Sequence, residues 1–175
     1  MRIIGLAGWS GSGKTTLLTK VIPRIVARGL RVSTLKHAHH DFDVDQPGKD
    51  SHAHRLAGAT EVLIGSDRRW ALVHELRHED EPSLAMLLRK LSPVDLVLIE
   101  GYKSERYPKL EVHRAALSLP LLAADDPAIV AIAADTALPI ARIPVIDLDD
   151  IGRIVEVMIR SAAPLDSVLA QLGTP

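Results

Sequence analysis

Residues Gly8-Trp9-Ser10-Gly11-Ser12-Gly13-Lys14-Thr15 match the pattern G-x-x-x-x-G-K-[ST] in full. Each position answers a requirement of phosphate chemistry. Glycines let the backbone turn its N–H groups inward on phosphate oxygens, at a helix N-terminus whose dipole favours anions. Lys14 supplies a point charge for β- and γ-phosphates, and Thr15 a hydroxyl for Mg²⁺. The candidate nucleotide contacts are Gly8, Ser10, Gly11, Ser12, Gly13, Lys14, Thr15 and Thr16. The chemistry they suggest is Mg²⁺-dependent binding of a nucleoside triphosphate, with in-line attack of water on the γ-phosphate as the default reaction. A glycine-rich turn that binds nothing has the same composition, and the flanking strand and helix patterns separate the two readings.

Such a site needs a carboxylate at the end of a buried strand to help hold the metal. Glu100 ends the apolar run 94–99, whereas Asp95 opens that run and belongs at the other edge of the sheet. A plain strand-ending turn at Glu100-Gly101 is the competing explanation. Asp50, expected to begin a helix, is the second candidate carboxylate, for the Mg²⁺ shell or the attacking water. An N-cap role explains it equally well. The candidate catalytic set is therefore Lys14, Asp50 and Glu100, and the candidate metal set Thr15, Asp50 and Glu100.

Five of the eight histidines (His37, His39, His40, His52, His54) fall in 37–54 among Asp41, Asp43, Asp45 and Asp50. Imidazole and carboxylate suit Zn²⁺, Ni²⁺ or Mg²⁺, but the spacings match no defined metal template, and a hydrated loop accounts for them too. The chain contains no Asn, so it has no Asn-Lys-x-Asp guanine signature. Asp135, after the apolar run 129–133, stands where a carboxylate would accept two hydrogen bonds from guanine. It also suits a loop residue capping a turn, and the residues alone leave guanine and adenine open.

The elements that must position these groups follow from periodicity. An apolar run at 3–7 enters the glycine turn as a buried strand, and Leu17, Leu18, Val21, Ile22, Ile25 and Val26 repeat at helical spacing, with Pro23 expected to kink or loosen the helix. Residues 31–35 read as a strand and 50–57 as a short helix. Runs 60–64 and 70–74, separated by Gly65-Ser66-Asp67-Arg68, read as an antiparallel hairpin added to a parallel sheet. Further strands are expected at 94–99, 109–113, 129–133 and 143–146, with alternation placing 109–113 nearer an edge. Helices are expected at 83–91, from Ile151 with Asp149 or Asp150 as N-cap, and in the tail after Pro164. The sum is one α/β domain over 1–175, a P-loop NTPase fold with a mainly parallel sheet, an added antiparallel hairpin and helices on both faces.

Composition narrows the partners. The chain has 175 residues, 47% hydrophobic and 25% charged, with 21 Lys+Arg against 22 Asp+Glu and a net charge of -1. That balance offers no basic field for nucleic acid. No run reaches the ~18 apolar residues of a spanning helix, since the richest stretch, 115–146, is cut by Asp125, Asp126, Asp135 and Arg142. With no Cys, thiol nucleophiles, disulfides and Cys-type zinc sites are excluded. A cytoplasmic protein touching neither nucleic acid nor membrane is the expectation.

The motifs taken together resemble the MobB family of molybdopterin-guanine dinucleotide biosynthesis adaptor proteins. The resemblance is carried by the glycine turn, by Leu35-Lys36-His37-Ala38-His39-His40-Asp41-Phe42-Asp43-Val44-Asp45-Gln46-Pro47-Gly48-Lys49-Asp50-Ser51 and by Ala57-Gly58-Ala59. It continues in Arg69-Trp70-Ala71-Leu72, Leu98-Ile99-Glu100-Gly101-Tyr102-Lys103 and Pro108-Lys109-Leu110-Glu111-Val112-His113-Arg114, and loosens in the last third. It implies a homodimer with an intertwined sheet, GTP and Mg²⁺ as ligands, slow hydrolysis, and as partner the guanylyltransferase that joins GMP to molybdopterin. Two other classes compete. A metal-insertion GTPase would use the histidine-rich loop 37–54, and a small-molecule kinase would need lid arginines, for which Arg68, Arg69 and Arg106 are the available candidates. No arginine finger or water-positioning glutamine is recognisable, Gln46 and Gln171 being the only glutamines.

Overall fold

The computed structural model describes residues 1–38 and 42–173. In chain order the elements are β1 (Arg2–Ala7), α1 (Lys14–Val26), β2 (Val32–Lys36), α2 (Asp50–Leu56), β3 (Glu61–Gly65), β4 (Trp70–His74) and α3 (Leu84–Lys90). There follow β5 (Leu96–Glu100), β6 (Lys109–His113), β7 (Ile129–Ala134), β8 (Val145–Asp147), α4 (Ile151–Ser161), β9 (Ala163–Pro164) and α5 (Leu165–Leu172). They divide into two compact units, residues 38–83 and the remainder of the chain.

The larger unit is built on one sheet of order β2-β5-β1-β6-β7-β8, all parallel, to which β9 adds antiparallel beside β1. Alternation along the central strands divides their side chains between two cores. Ile4, Leu6, Leu96, Leu98, Leu110 and Val112 face α1 and α4, whereas Ile3, Val97 and Ile99 face α3 and α5. Each such aliphatic side chain withdrawn from water contributes about 1.5–3 kcal/mol, which is why these strands read as continuous apolar runs. Helix α1 is continuous through Pro23 and buries Leu17, Leu18, Val21 and Ile25. Helix α4 begins at Asp150, whose Oδ1 accepts the Arg153 N–H at 3.0 Å.

Strand β6 departs from expectation. Its charged-apolar alternation suggested a place near an edge, yet it lies between β1 and β7, with Lys109 and Glu111 almost wholly buried. Leu110 and Val112 fill one core, and loops cover the charged face. The Lys109 ammonium has three protons and three acceptors: the carbonyls of Lys103 at 2.8 Å and Glu105 at 2.6 Å, and Asp126 Oδ2 at 2.7 Å. Glu111 accepts the N–H groups of Leu122 at 2.9 Å and Ala123 at 2.8 Å. Alternation here separates two kinds of burial rather than inside from outside.

The 38–83 unit holds α2 and an antiparallel pair, β3 with β4, in register Glu61↔His74, Leu63↔Leu72 and Gly65↔Trp70. The expected hairpin is therefore present, as a two-stranded sheet of its own rather than hydrogen-bonded to the parallel one. Arg55 of α2 gathers three carboxylates, Asp43 at 2.6 Å, Glu75 at 3.0 Å and Asp45 at 3.3 Å, and its hydrogen bond holds Asp43 below the usual carboxylate range.

Replacing Lys109 by Met keeps the volume but strands Asp126 and two carbonyls. Chemical denaturation of Lys109→Met is expected to show a loss of about 3 kcal/mol, with part recovered when Asp126→Asn is added; a loss below about 1 kcal/mol would show that the buried ammonium is dispensable.

Candidate functional site

The parallel register carries the carboxyl ends of β2, β5, β1, β6 and β7 to one edge of the sheet, where the candidate residues of the larger unit lie. Gly8 leaves β1 with φ 146°, and a methyl group placed on it would lie 2.6 Å from the Val112 carbonyl oxygen and 2.7 Å from Ser12 Oγ. Only a residue without Cβ fits there. The loop closes with the Ser12 N–H on the Trp9 carbonyl at 3.2 Å, and Gly13 passes into α1 in the left-handed conformation. Ser10, Gly11, Thr15 and Thr16 are exposed, so the face of the loop and the start of α1 is open. Ser12 Oγ is buried without a hydrogen-bond partner among the described residues, a cost a native loop tolerates where a ligand supplies the missing partner.

Lys14 Nζ donates to the carbonyls of Gly8 and Trp9, both at 2.9 Å, folding over its own loop. Burial holds its pKa below the ordinary lysine value; Glu100 opposes this, and Lys103 and Lys36 reinforce it. Glu100, nearly buried at the end of β5, accepts the Thr15 hydroxyl at 2.7 Å and lies 3.7 Å from Lys36 Nζ. A hydroxyl and a carboxylate in direct contact form a hard oxygen donor set of the kind that suits Mg²⁺, so these residues fit that ion. Thr15 and Glu100 would hold it.

Asp135 follows β7, and its Oδ1 accepts the Ala115 N–H at 3.0 Å while Arg114 Nη1 stands 3.6 Å from Oδ2. The Ala115 N–H above all, with Arg114 and His113 adding, keeps this carboxyl below its usual range. Beside it a cavity of about 580 Å³ is lined by Ala134, Asp135, Thr136, Leu138, Pro139 and Asp147, among others. The turn-capping and base-reading explanations of Asp135 are thus compatible: one oxygen holds a backbone N–H, and the carboxylate borders an open cavity.

Asp50 is the first residue of α2 in the 38–83 unit, and the cap preceding it is Lys49, so the N-cap explanation of Asp50 does not hold. Of the histidines, His37 stacks on Tyr102 with ring centroids 4.4 Å apart, His52 and His54 lie on α2, and His39 and His40 fall outside the described residues, as does Asp41. Among the described residues no three His, Asp or Glu side chains are grouped to hold a metal ion, and no helix is long and apolar enough to cross a membrane. Arg68 and Arg69 lie in the turn between β3 and β4, and Arg106 is exposed in the loop after β5.

Three cations escaped the sequence reading. Lys36 ends β2, Lys103 follows Glu100 by three residues and lies 4.8 Å over the Trp9 ring, and Arg114 directly follows β6. For Lys36 and Arg114 the available signal was the one that singled out Glu100, a charged residue at the carboxyl end of a strand; Lys103 lies in the loop beyond β5 and carried no such signal.

A mainly parallel sheet of this order, with a G-x-x-x-x-G-K-T turn between its central strand and the first helix, defines a P-loop NTPase-like α/β protein. Residues 3–135 match the family model of MobB, molybdopterin guanine dinucleotide synthesis protein B, and the chain belongs to that family. It is 41% identical over 152 residues to the molybdopterin-guanine dinucleotide biosynthesis adapter protein of Escherichia coli (strain K12), covering 85% of this chain and 86% of that protein. The protein of the same name from Haemophilus influenzae is 41% identical over 157 residues, covering 89% and 84%. Among solved structures, molybdopterin-guanine biosynthesis protein B aligns with TM-score 0.71 at 27% identity over 90% of this chain and 98% of that one. A MobB homologue from Bacillus stearothermophilus aligns with TM-score 0.64 at 26% identity, covering 90% and 95%.

Removing the charge at Glu100 tests its place at the metal. Glu100→Gln is expected to raise the Mg²⁺ concentration for half-maximal nucleotide hydrolysis by about tenfold or more while leaving the melting midpoint within a few degrees; an unchanged Mg²⁺ titration would move the role to another carboxylate.

Proposed function

We propose that this chain is a cytoplasmic GTP-binding adapter with slow GTPase activity that assists guanylylation of molybdopterin in molybdopterin guanine dinucleotide biosynthesis. The observation that carries the nucleotide half is the loop itself. An unpartnered buried Ser12 Oγ, a folded-over Lys14 and the Thr15–Glu100 contact sit together on a backbone turn of the right form. The adapter half rests on family membership and on the two 41%-identical relatives, both molybdopterin-guanine dinucleotide biosynthesis adapter proteins.

In this reading the loop N–H groups and Lys14 hold the β- and γ-phosphates, and Lys36 and Lys103 add positive charge against them. Thr15 and Glu100 hold Mg²⁺. Bound Mg²⁺ would neutralise charge developing on the phosphate oxygens. Water attacks the γ-phosphorus as the bond to the β–γ bridging oxygen breaks; GDP departs with the electron pair and the water proton passes to solvent. Asp135 reads the guanine edge beside the 580 Å³ cavity. With no recognisable arginine finger or water-positioning glutamine, the chain lacks an electrostatic contribution worth ~10³–10⁵ in rate, so turnover takes on the order of minutes or longer. The partner is the guanylyltransferase that joins GMP to molybdopterin.

The assembly is a homodimer. One face of the hairpin presents Leu63, Leu72 and Trp70 at 69%, 45% and 70% exposure, cross-strand neighbours in register, which is apolar area that a second copy of the chain would cover.

Lys14→Ala is expected to weaken GTP binding by about 10–100-fold while leaving guanosine binding unchanged, as measured by calorimetry. Equal GTP affinity would refute the site. For the adapter role, isolated protein should hydrolyse GTP slowly and should accelerate molybdopterin guanylylation by the partner enzyme; fast turnover with no effect on the partner would overturn it. Sedimentation should give a dimer that Trp70→Glu dissociates, and a parent chain running as a 19.0 kDa monomer would contradict the assembly.

A further inference from the structure

The segment from Val112 to Pro120 lies along the glycine loop from end to end. The Val112 carbonyl crowds Gly8, Pro120 O accepts the Trp9 indole N–H at 2.8 Å, and a Cβ on Gly11 would sit 3.8 Å from the Leu117 side chain. A Cβ on Gly13 would sit 3.6 Å from both Nε and Nη2 of Arg114, so the guanidinium lies against the last glycine before Lys14. The remaining nitrogen, Nη1, faces Asp135 Oδ2 at 3.6 Å, and the next residue donates its N–H to Asp135 Oδ1. One residue therefore stands between the loop that would take the phosphates and the carboxylate that would read the base.

We propose that Arg114 is a positioning residue that fixes Asp135 relative to the glycine loop and so sets selectivity for guanine over hypoxanthine and adenine; this rests on the nucleotide reading above. A guanidinium is always charged, planar and able to donate along two edges at once, which suits a group spanning two elements. Guanine offers a carboxylate two donors, its ring N–H and its exocyclic amino group, so both Asp135 oxygens must face the base edge at a set distance from the phosphates. The Ala115 N–H alone fixes one oxygen and leaves the carboxyl free to rotate. Arg114 supplies the second constraint, and because its other edge packs beside Gly13 the same side chain lies against both the base reader and the phosphate loop. Arg114 belongs to the nucleoside half of the site in this account, and its loss leaves the phosphates held by the loop, Lys14, Lys36 and Lys103.

The test compares affinities of the full chain for GTP, GDP, ITP and ATP. ITP lacks the exocyclic amino group, so the ITP-to-GTP ratio of dissociation constants isolates base reading. Arg114→Ala is expected to lower that ratio and the ATP-to-GTP ratio by about tenfold, leave the GDP-to-GTP ratio unchanged, and keep the melting midpoint near that of the parent. Arg114→Lys, which retains the charge, should restore part of the preference. Asp135→Asn should abolish the preference, and the double variant Arg114→Ala with Asp135→Asn should be no worse than Asp135→Asn alone. A shift in the GDP-to-GTP ratio with Arg114→Ala would make Arg114 a phosphate ligand and overturn the proposal, as would an undiminished guanine preference or additive losses in the double variant. Failure of the underlying reading looks different: the parent chain would bind no GTP, or Lys14→Ala would bind it as well as the parent.

Discussion

The site depends on strand register. β1 pairs with β5 so that Leu6 stands opposite Glu100, and β2 pairs with β5 so that Lys36 stands opposite the same residue. On its other side β1 pairs with β6, bringing Ala7 opposite Glu111. These pairings put the start of the glycine loop, the carboxylate and the cations at one level of the sheet. A slip of one residue would turn Glu100 to the opposite face and move Ile99 to the loop, so the buried apolar alternation that fixes register also fixes the distance from Thr15 to Glu100. The geometry of the candidate site is a by-product of core packing.

The second layer of support is polar and lies on the face of β6 away from α1. Lys109 ties the Lys103 and Glu105 carbonyls to the sheet, Tyr107 donates its hydroxyl to the Gly101 carbonyl at 2.8 Å, and burial raises the Tyr107 pKa so that it remains a donor. The loop after Glu100 thus has three anchors over eight residues, and Lys103 is carried on a braced segment. Glu111 does the same for residues 122 and 123. Loops near the site are held by groups buried beneath them.

Much of this was legible in the residues. Apolar runs at 3–7, 94–99 and 129–133 gave the central strands, because strands buried on both faces need no polar alternation, and the glycine motif marked the turn between β1 and α1. The hairpin was legible from its turn, though not that it forms a separate sheet, since pairing partners are a tertiary property. β6 was misplaced because Lys109 and Glu111 carry the usual mark of exposure, and only the loop carbonyls and Asp126 around Lys109 and the Leu122 and Ala123 N–H groups on Glu111 reveal that they are satisfied inside. Thr15, Lys14 and Glu100 were legible by motif and strand-end logic, and the structure places the Thr15 hydroxyl on the Glu100 carboxylate and Lys14 on the carbonyls of its own loop. Arg114 was missed because its meaning lies in two neighbours distant in the chain, Gly13 at the start of α1 and Asp135 after β7.

Lys109 also restricts how this sequence can change over evolutionary time. Three protons meet three acceptors in a space that excludes water, so arginine is too large and delocalised and a neutral side chain leaves acceptors unmet. A lineage that altered position 109 would leave the Asp126 carboxylate without its ammonium partner, so a change at 109 favours a compensating change at 126. Positions 103 and 105 contribute only main-chain carbonyls and are free to vary in side chain, so the coupling falls on 109 and 126 alone.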